Sequence, residues 1–444
     1  MYENCQVSSI SSIISDDEFN KCMESLGPFE SSPEIAVAVS GGSDSLCLAI
    51  LSNRWVKKRG GKLHVLTVDH KLRKESEVEA RQVGNWLRSY NMSHEIIEWD
   101  GPYPRSGIQA AARIARYKIL EEFCRNKNIL HLLVGHHQND QAETVLIRQE
   151  GSSGSNGLAA MAAIYEKKDV RILRPFLKIS KPRLVATLEA LDQKWVDDPS
   201  NMNTKTARGR LRAEIKESIL DKALVLAQNS ASIRIKGEIE TARIAARALS
   251  FNPAAFIKID LDQLDAANTQ NLERVLSKTI MTVAARYYPP RLRQIKSLVK
   301  NLINDSEFHD CTLAGCRILG QKRNIYVIRE LARLGPDMIL RDRKETLWDN
   351  RFIISTKQDL TLDLRIAAVH KAGWAQIISD DSNLKQTLIP FEARLSLPSI
   401  WYGDTVVAVP HLGYKKKIKA LDKVNFSIRW APPSAMASAK FGRV

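Results

Sequence analysis

The residues best suited to chemistry lie in three short runs. The first is Ser40, Gly41, Gly42, Ser43, Asp44 and Ser45. Glycines without a Cβ let backbone N–H groups approach phosphate oxygens closely. The serine hydroxyls add donors, and a carboxylate beside them suits a hard divalent cation such as Mg2+. The second run, Gly135 to Thr144, holds His136, His137, Asp140 and Glu143. Asp140 and Glu143 are three residues apart and share a face if the run is helical. Two carboxylates on one face can hold a metal, or an ammonium group whose proton one of them accepts. Acids also collect at helix N-termini for electrostatic reasons alone, so the pair is informative only in company. The two histidines lack a third ligand at metal-binding spacing. The third run carries Arg113 and Arg116, again three apart. They could meet a phosphate, a carboxylate or RNA, or form a solvated basic face.

These runs need a scaffold that brings them together. Glu34 to Val39 reads as a short buried strand, and Leu46 to Leu51 as the first turns of a helix. A strand opening through small residues into a helix is a phosphate site, because the helix N-terminus adds unpaired donors and partial positive charge. The loop lacks both the Gly-Lys-Ser/Thr ending of a Walker A motif and the spacing of a dinucleotide fingerprint. It resembles the PP-loop of ATP pyrophosphatases, which cleave ATP between its α- and β-phosphates. Further apolar runs at Lys62–Asp69, His94–Trp99 and Ile129–Val134 alternate with helical stretches near 75–89, 108–125 and 139–148. Such alternation predicts a parallel sheet covered on both faces, with ligands beyond the strands' carboxyl ends. Asp44, Asp69, His70 and His136 all fall at strand ends and therefore converge on one crevice.

The 444-residue chain has room for two or three domains and carries a formal net charge of +16. Such a surplus favours a polyanionic partner, RNA first, since each phosphate contact releases counterions. No run approaches the ~18 apolar residues of a membrane span, and the first 34 residues show no secretory pattern. A cytoplasmic location with no membrane partner is expected. Six cysteines without framework spacing read as reduced thiols, and no Cys-x-x-Cys occurs.

The fold class expected is α/β. An N-terminal extension (1–33) precedes a doubly wound, parallel-sheet PP-loop (adenine nucleotide α-hydrolase-like) domain at 34–215. A helical domain expected to bind RNA at 216–318 and a small β-rich C-terminal domain at 319–444 follow. The Gly/Ser-rich run Gly151–Gly157 reads as a substrate-facing loop or lid. From about Thr204 the chain turns basic and helical, with Arg208 and Arg212, and the run to about Ser250 suggests an elongated helix pair. Residues 252–304 read as helical. Within them Arg291 and Arg293 flank Tyr287 and Tyr288, a basic–aromatic mix suited to RNA.

Taken in order, Ser40–Ser45, Asp69–Arg73, Ala112–Tyr117, Gly135–Thr144, Gly157–Met161, Arg174–Leu177 and Asp198–Asn201 followed by Arg208 and Arg212 resemble the tRNA(Ile)-lysidine synthase family. The likeness is strong over roughly residues 34 to 215 and looser beyond. Glu150 departs from it, standing where a basic residue is expected. The resemblance implies ATP as co-substrate with Mg2+ at Asp44, and free L-lysine seated by Asp140 and Glu143. Arg113 or Arg116 would hold the substrate's phosphate or carboxylate. Ser40, Gly41, Gly42, Ser43, Asp44, Ser45, Asp69, His70 and His136 would form the nucleotide site. The tRNA(Ile) with its CAU anticodon would be gripped by Arg208, Arg212, Arg291 and Arg293. A homodimer is compatible with it. Two alternatives stand beside this reading, a PP-loop tRNA cytidine thiolase and a nucleotide-dependent RNA binder without catalysis. The missing paired cysteines weigh against the first, and the set Asp44, Asp140 and Glu143 against the second.

Overall fold

The computed structural model describes residues 13–71, 75–101, 108–151, 154–167, 169–196, 209–211, 217–264, 268–286, 288–304, 308–340, 345–356, 358, 360, 362–433 and 436. Arg208, Arg212, Tyr287 and the Asp198–Asn201 turn lie outside these residues. Contacts divide the chain into two units, the first running to Lys236 and the second from Gly237 to Ser438.

The first unit is built on a six-stranded sheet. Its strands are β1 (Glu34–Ala38), β2 (Lys62–Asp69), β3 (Ser93–Glu98), β4 (His131–Val134), β5 (Ile164–Glu166) and β6 (Arg171–Leu173). Their order is β3-β2-β1-β4-β6-β5, parallel throughout except for β5, which pairs antiparallel with β6 at the edge. Helices α2 (Ser43–Lys57), α3 (Ser76–Arg88), α4 (Ile108–Asn126), α5 (Gln138–Glu150), α6 (Ser155–Leu158) and α7 (Lys181–Glu189) accompany it. Strand β1 shows why the sheet is covered twice. Ile35 and Val37 pack with Leu46, Ile50, Phe176 and Leu184 on one face. Ala36 faces the other, among Leu66, Leu120, Cys124 and Leu132. Each fully buried large apolar side chain contributes on the order of 1.5–3 kcal/mol, so two cores of this kind fix the register firmly. The chain leaves β1 toward β2 on one side and has β4 on the other, so the sheet's switch point lies between β1 and β4. A crevice opens there at the carboxyl ends.

The stretch before β1 is more than an extension. Helix α1 (Asp16–Glu24) buries Phe19 and Met23 in the same core as Ile35 and Phe176. The Ile14 N–H donates to Thr187 Oγ1 (2.9 Å), and the Glu18 carboxylate accepts two hydrogen bonds from Arg183 of α7.

Within the run expected to form an elongated helix pair, residues 209–211 are helical and Glu217–Ala248 is one 32-residue helix. Its one interior glycine, Gly237, costs about 1 kcal/mol of helix stability, too little to break so long an element. At its start Ala223 and Ala227 pack with Ala142 and Val145 of α5 and with Ala160.

The second unit opens with a correction to the expected helical run. Leu249–Asn252 and Phe256–Asp260 form a hairpin, and the second strand pairs antiparallel with Asn324–Arg329. The alternation Phe256-Ile-Lys-Ile-Asp260 is a strand pattern, with Ile257 and Ile259 fully buried. Helices Thr269–Val283 and Leu292–Asn304 cover this five-stranded sheet. The expected division at residues 318 and 319 falls inside the strand Cys316–Gln321. Two further antiparallel sheets follow, of five and three strands. Among them Asp349 accepts hydrogen bonds from Arg329 and from the fully buried Arg351. Among the described residues no helix is long and apolar enough to cross a membrane.

Candidate active site

Strand β1 ends at Ala38 and the backbone turns through Val39, Ser40, Gly41 and Gly42 into α2, whose N-cap is Gly42. Gly41 holds φ +89°, and a Cβ there would stand 2.8 Å from Val83 and 3.2 Å from Val196. Both the backbone conformation and the space demand glycine. The loop is braced from within. Ser45 Oγ donates to the Gly42 carbonyl (3.0 Å) and accepts from the Ser40 N–H (3.1 Å). Ser43 Oγ donates to Asp44 Oδ1 at 3.2 Å.

The loop after β4 reaches the same place. A Cβ on Gly135 would press within 3.2 Å of the Asp44 carbonyl and the Ser45 nitrogen, so a small residue lets the two loops meet. His137 follows as the N-cap of α5, and its N–H donates to Asp140 Oδ2 (3.1 Å). Its Nε2 lies 3.5 Å from Asp44 Oδ2 and 3.6 Å from Asp140 Oδ2. Helix α7 completes the crevice. The Gln138 N–H donates to the Ile179 carbonyl and the Lys181 N–H to Asn139 Oδ1, while Lys181 Nζ stands 3.9 Å from Asp44 Oδ2. Three helix N-termini, those of α2, α5 and α7, therefore meet around one carboxylate. Burial pushes the Asp44 carboxyl up, but His137, Lys181 and the Ser43 hydroxyl outweigh it and hold the group below its ordinary value. Asp44 is ionised at neutral pH.

Asp140 and Glu143 are both buried, one helical turn apart on α5. Asp140 has a structural duty as a helix cap besides any role toward substrate. Asp69, at the end of β2, spends Oδ1 on its own turn, accepting from the Lys71 N–H (2.9 Å) and Ser76 Oγ (2.7 Å). That turn carries His70, whose ring meets Trp99 edge-on at 5.6 Å. Burial and the charge of Arg116 lower the His70 pKa against the opposing pull of Asp69, so its ring is neutral at pH 7. His136 Nδ1 accepts from Arg174 Nε (3.3 Å), and Arg174 also donates to the Ala162 carbonyl (2.7 Å). Arg113 and Arg116 place their guanidinium carbons 5.4 and 5.6 Å from the Tyr117 ring centre. Burial lowers the pKa of Arg116 and of Arg174. Guanidinium groups held by an aromatic ring keep their charge available for an anionic ligand.

Arg148 anchors the glycine-rich segment, donating to the carbonyls of Gly157 (2.7 Å) and Ala160 (3.0 Å). Arg291 and Arg293 lie exposed at the start of Leu292–Asn304 in the second unit. Sequence reasoning missed His137, Arg174 and Lys181 as site residues. Each was present in a recognised stretch or beside one, but His137 and Lys181 gain Asp44 as a neighbour only through the packing of α5 and α7 on the loop, and Arg174 gains His136 only because the turn after β4 lies beside it.

A glycine–serine loop and an acid at the switch point of a parallel sheet, backed by a second acidic helix, define an ATP-using PP-loop domain. Residues 13–219 match a family described as the PP-loop domain. The tRNA(Ile)-lysidine synthase of Orientia tsutsugamushi (strain Boryong) is 30% identical over 92% of this chain and 96% of its own. That of Wolbachia pipientis wMel is 32% identical over 88% of this chain and 91% of its own, and that of Rickettsia akari (strain Hartford) 28% over 90% and 93%. The chain belongs to the tRNA(Ile)-lysidine synthase family, ATP-dependent ligases that modify tRNA.

Proposed function

We propose that this chain joins free L-lysine to C2 of the wobble cytidine in the CAU anticodon of tRNA(Ile). ATP lies along the loop Ser40–Ser45, with its triphosphate on the N–H groups at the start of α2. The C2 carbonyl oxygen attacks the α-phosphorus, and the bond to the bridging oxygen breaks with its electron pair leaving on pyrophosphate. The lysine ε-amino group then adds at C2 and AMP departs with the former carbonyl oxygen. Splitting the exchange in two replaces a poor leaving group by a good one. The modified base pairs with A instead of G, so the anticodon reads AUA in place of AUG.

Asp44 suits Mg2+. Its ionised carboxylate sits at a helix N-terminus, and no group of three or more His, Cys, Asp or Glu gathers as a metal centre among the described residues. Magnesium characteristically takes one or two carboxylates and completes its shell with substrate phosphates and water. When bound, the ion would neutralise charge on the triphosphate. Asp140 and Glu143 seat the lysine ammonium, and one of them accepts its proton before attack. Neutral His70 and the Arg113–Arg116 pair line the neighbouring wall, where the arginines hold the lysine carboxylate or a tRNA phosphate. The exposed Arg291 and Arg293 hold the tRNA backbone, joined by Arg208 and Arg212. The reaction takes place in the cytoplasm, where ATP, lysine and tRNA meet.

The observation that supports this reading is that His137 Nε2 stands between Asp44 Oδ2 (3.5 Å) and Asp140 Oδ2 (3.6 Å) at the mouth of the glycine–serine loop, so the two carboxylates proposed for the nucleotide and the amine are neighbours. The test is AMP formation from ATP with a CAU-anticodon tRNA transcript. It should require lysine, and ATP left intact with both acceptors present would overturn the proposal.

A further inference from the structure

Lys181 is the first residue of α7, a helix whose first turn carries no acid. A cation there opposes the helix dipole and weakens the helix, so local stability does not explain it. Its backbone is fixed, since its N–H donates to Asn139 Oδ1 and the preceding Ile179 carbonyl accepts from Gln138 at the start of α5. Its side chain is not fixed in the same way. Nζ is 3.9 Å from Asp44 Oδ2, the outer limit of an ion pair, and the side chain is 45% exposed.

Resting on the ATP reading above, we infer that Lys181 is a phosphate-binding residue whose ammonium takes the β- and γ-phosphates of ATP and stays with the departing pyrophosphate. Mg2+ on Asp44 would compete with the Lys181 ammonium for the same carboxylate, whose only contact with it is at 3.9 Å. The flexible lysine side chain yields. Lysine has a four-carbon stem and a compact charge, the properties of a phosphate-binding point charge. The nearest anion at the mouth of three converging helix N-termini is the triphosphate lying on the loop. His137, the N-cap of α5, has a shorter side chain with less reach than that of Lys181. In the adenylation step the electron pair of the broken phosphorus–oxygen bond goes to pyrophosphate, and Lys181 supplies positive charge where that negative charge collects.

The test measures binding to the full-length chain by calorimetry, with ATP, inorganic pyrophosphate and AMP as separate probes. Lys181→Met should weaken ATP and pyrophosphate by tenfold or more, in Mg2+ and in its absence, and leave AMP affinity unchanged. Lys181→Arg should restore most of the loss. Retained AMP binding also reports an intact fold. Pyrophosphate affinity equal to the unmodified chain's overturns the inference, and so does a parallel loss of AMP. The reaction itself is judged separately. An unmodified chain that binds ATP and pyrophosphate but makes no AMP with lysine and tRNA would sink the ligase reading while leaving Lys181 on the phosphates.

Discussion

His137 Nε2 lies 3.5 Å from Asp44 Oδ2, so the acid of the glycine–serine loop is met by a group from the next strand's loop. The pairing joins two stretches ninety residues apart in sequence. Asp44→Ala should cut AMP production by at least about a hundredfold, the scale of losing one electrostatic stabiliser of a transition state. Binding of tRNA should stay within about twofold. A variant that loses tRNA affinity instead would make the loop an architectural feature.

Glu143 is buried one turn beyond Asp140, where a carboxylate gains most from a cationic partner. Glu143→Ala should raise the KM for lysine by roughly ten- to a hundredfold, matching about 1.5–3 kcal/mol for a charged hydrogen bond. The KM for ATP should move far less. Steady-state kinetics with each substrate varied in turn checks this, and the opposite order would move Glu143 to the nucleotide end.

Arg291 and Arg293 stand exposed with Lys296 and Lys300 on the outer side of Leu292–Asn304, whose Ile295, Leu298 and Val299 are buried. Changing both arginines to glutamine should weaken tRNA binding across sequences. The slope of log affinity against log salt should become shallower by about two, roughly one for each lost phosphate contact. A filter-binding series over salt concentration reads it, and an unaltered slope removes this surface from the RNA path.

Asp349 bridges Arg329 and Arg351 inside the second unit, with side chains almost wholly buried. Burial pushes the Asp349 carboxyl up, but the two guanidinium groups outweigh it and leave its pKa below the ordinary value. A lowered folded pKa means the ionised form stabilises the fold. That contribution is complete above the ordinary carboxylate range of about pH 4 and disappears as pH falls through the folded value. Asp349→Asn should cost roughly 3–5 kcal/mol at pH 7, because it leaves two buried cations without their anion. Denaturant titrations at pH 7 and pH 3 should show the gap between variant and parent narrowing at the lower pH.

The nucleotide end was legible in the sequence because its parts are contiguous. Strand, loop, acid and helix follow one another from Glu34 to Leu51, and local pattern is enough to read them. Lys181 was not legible, since nothing near it in sequence says that α7 begins beside Asp44. That nearness is a tertiary fact, made by the Ile179 carbonyl and Asn139. The hairpin at residues 249–260 was taken for helix for a related reason. Its strands are short, lie between two helices, and gain a partner only at Asn324–Arg329. Helix α1 was hidden by its polar surface. Phe19 and Met23, four apart, are its only buried side chains, too few to signal a core helix without the sheet beneath.

That helix bears on how the catalytic half can be cut down. A fragment begun at Glu34, where the motif invites a start, would strip the cover from Phe176 and Trp55 and remove the Glu18 anchor of Arg183. Arg183 is two residues from Lys181, so the damage would run from an exposed core to the position of the phosphate lysine. A soluble miniature of the enzyme has to begin before Ile14.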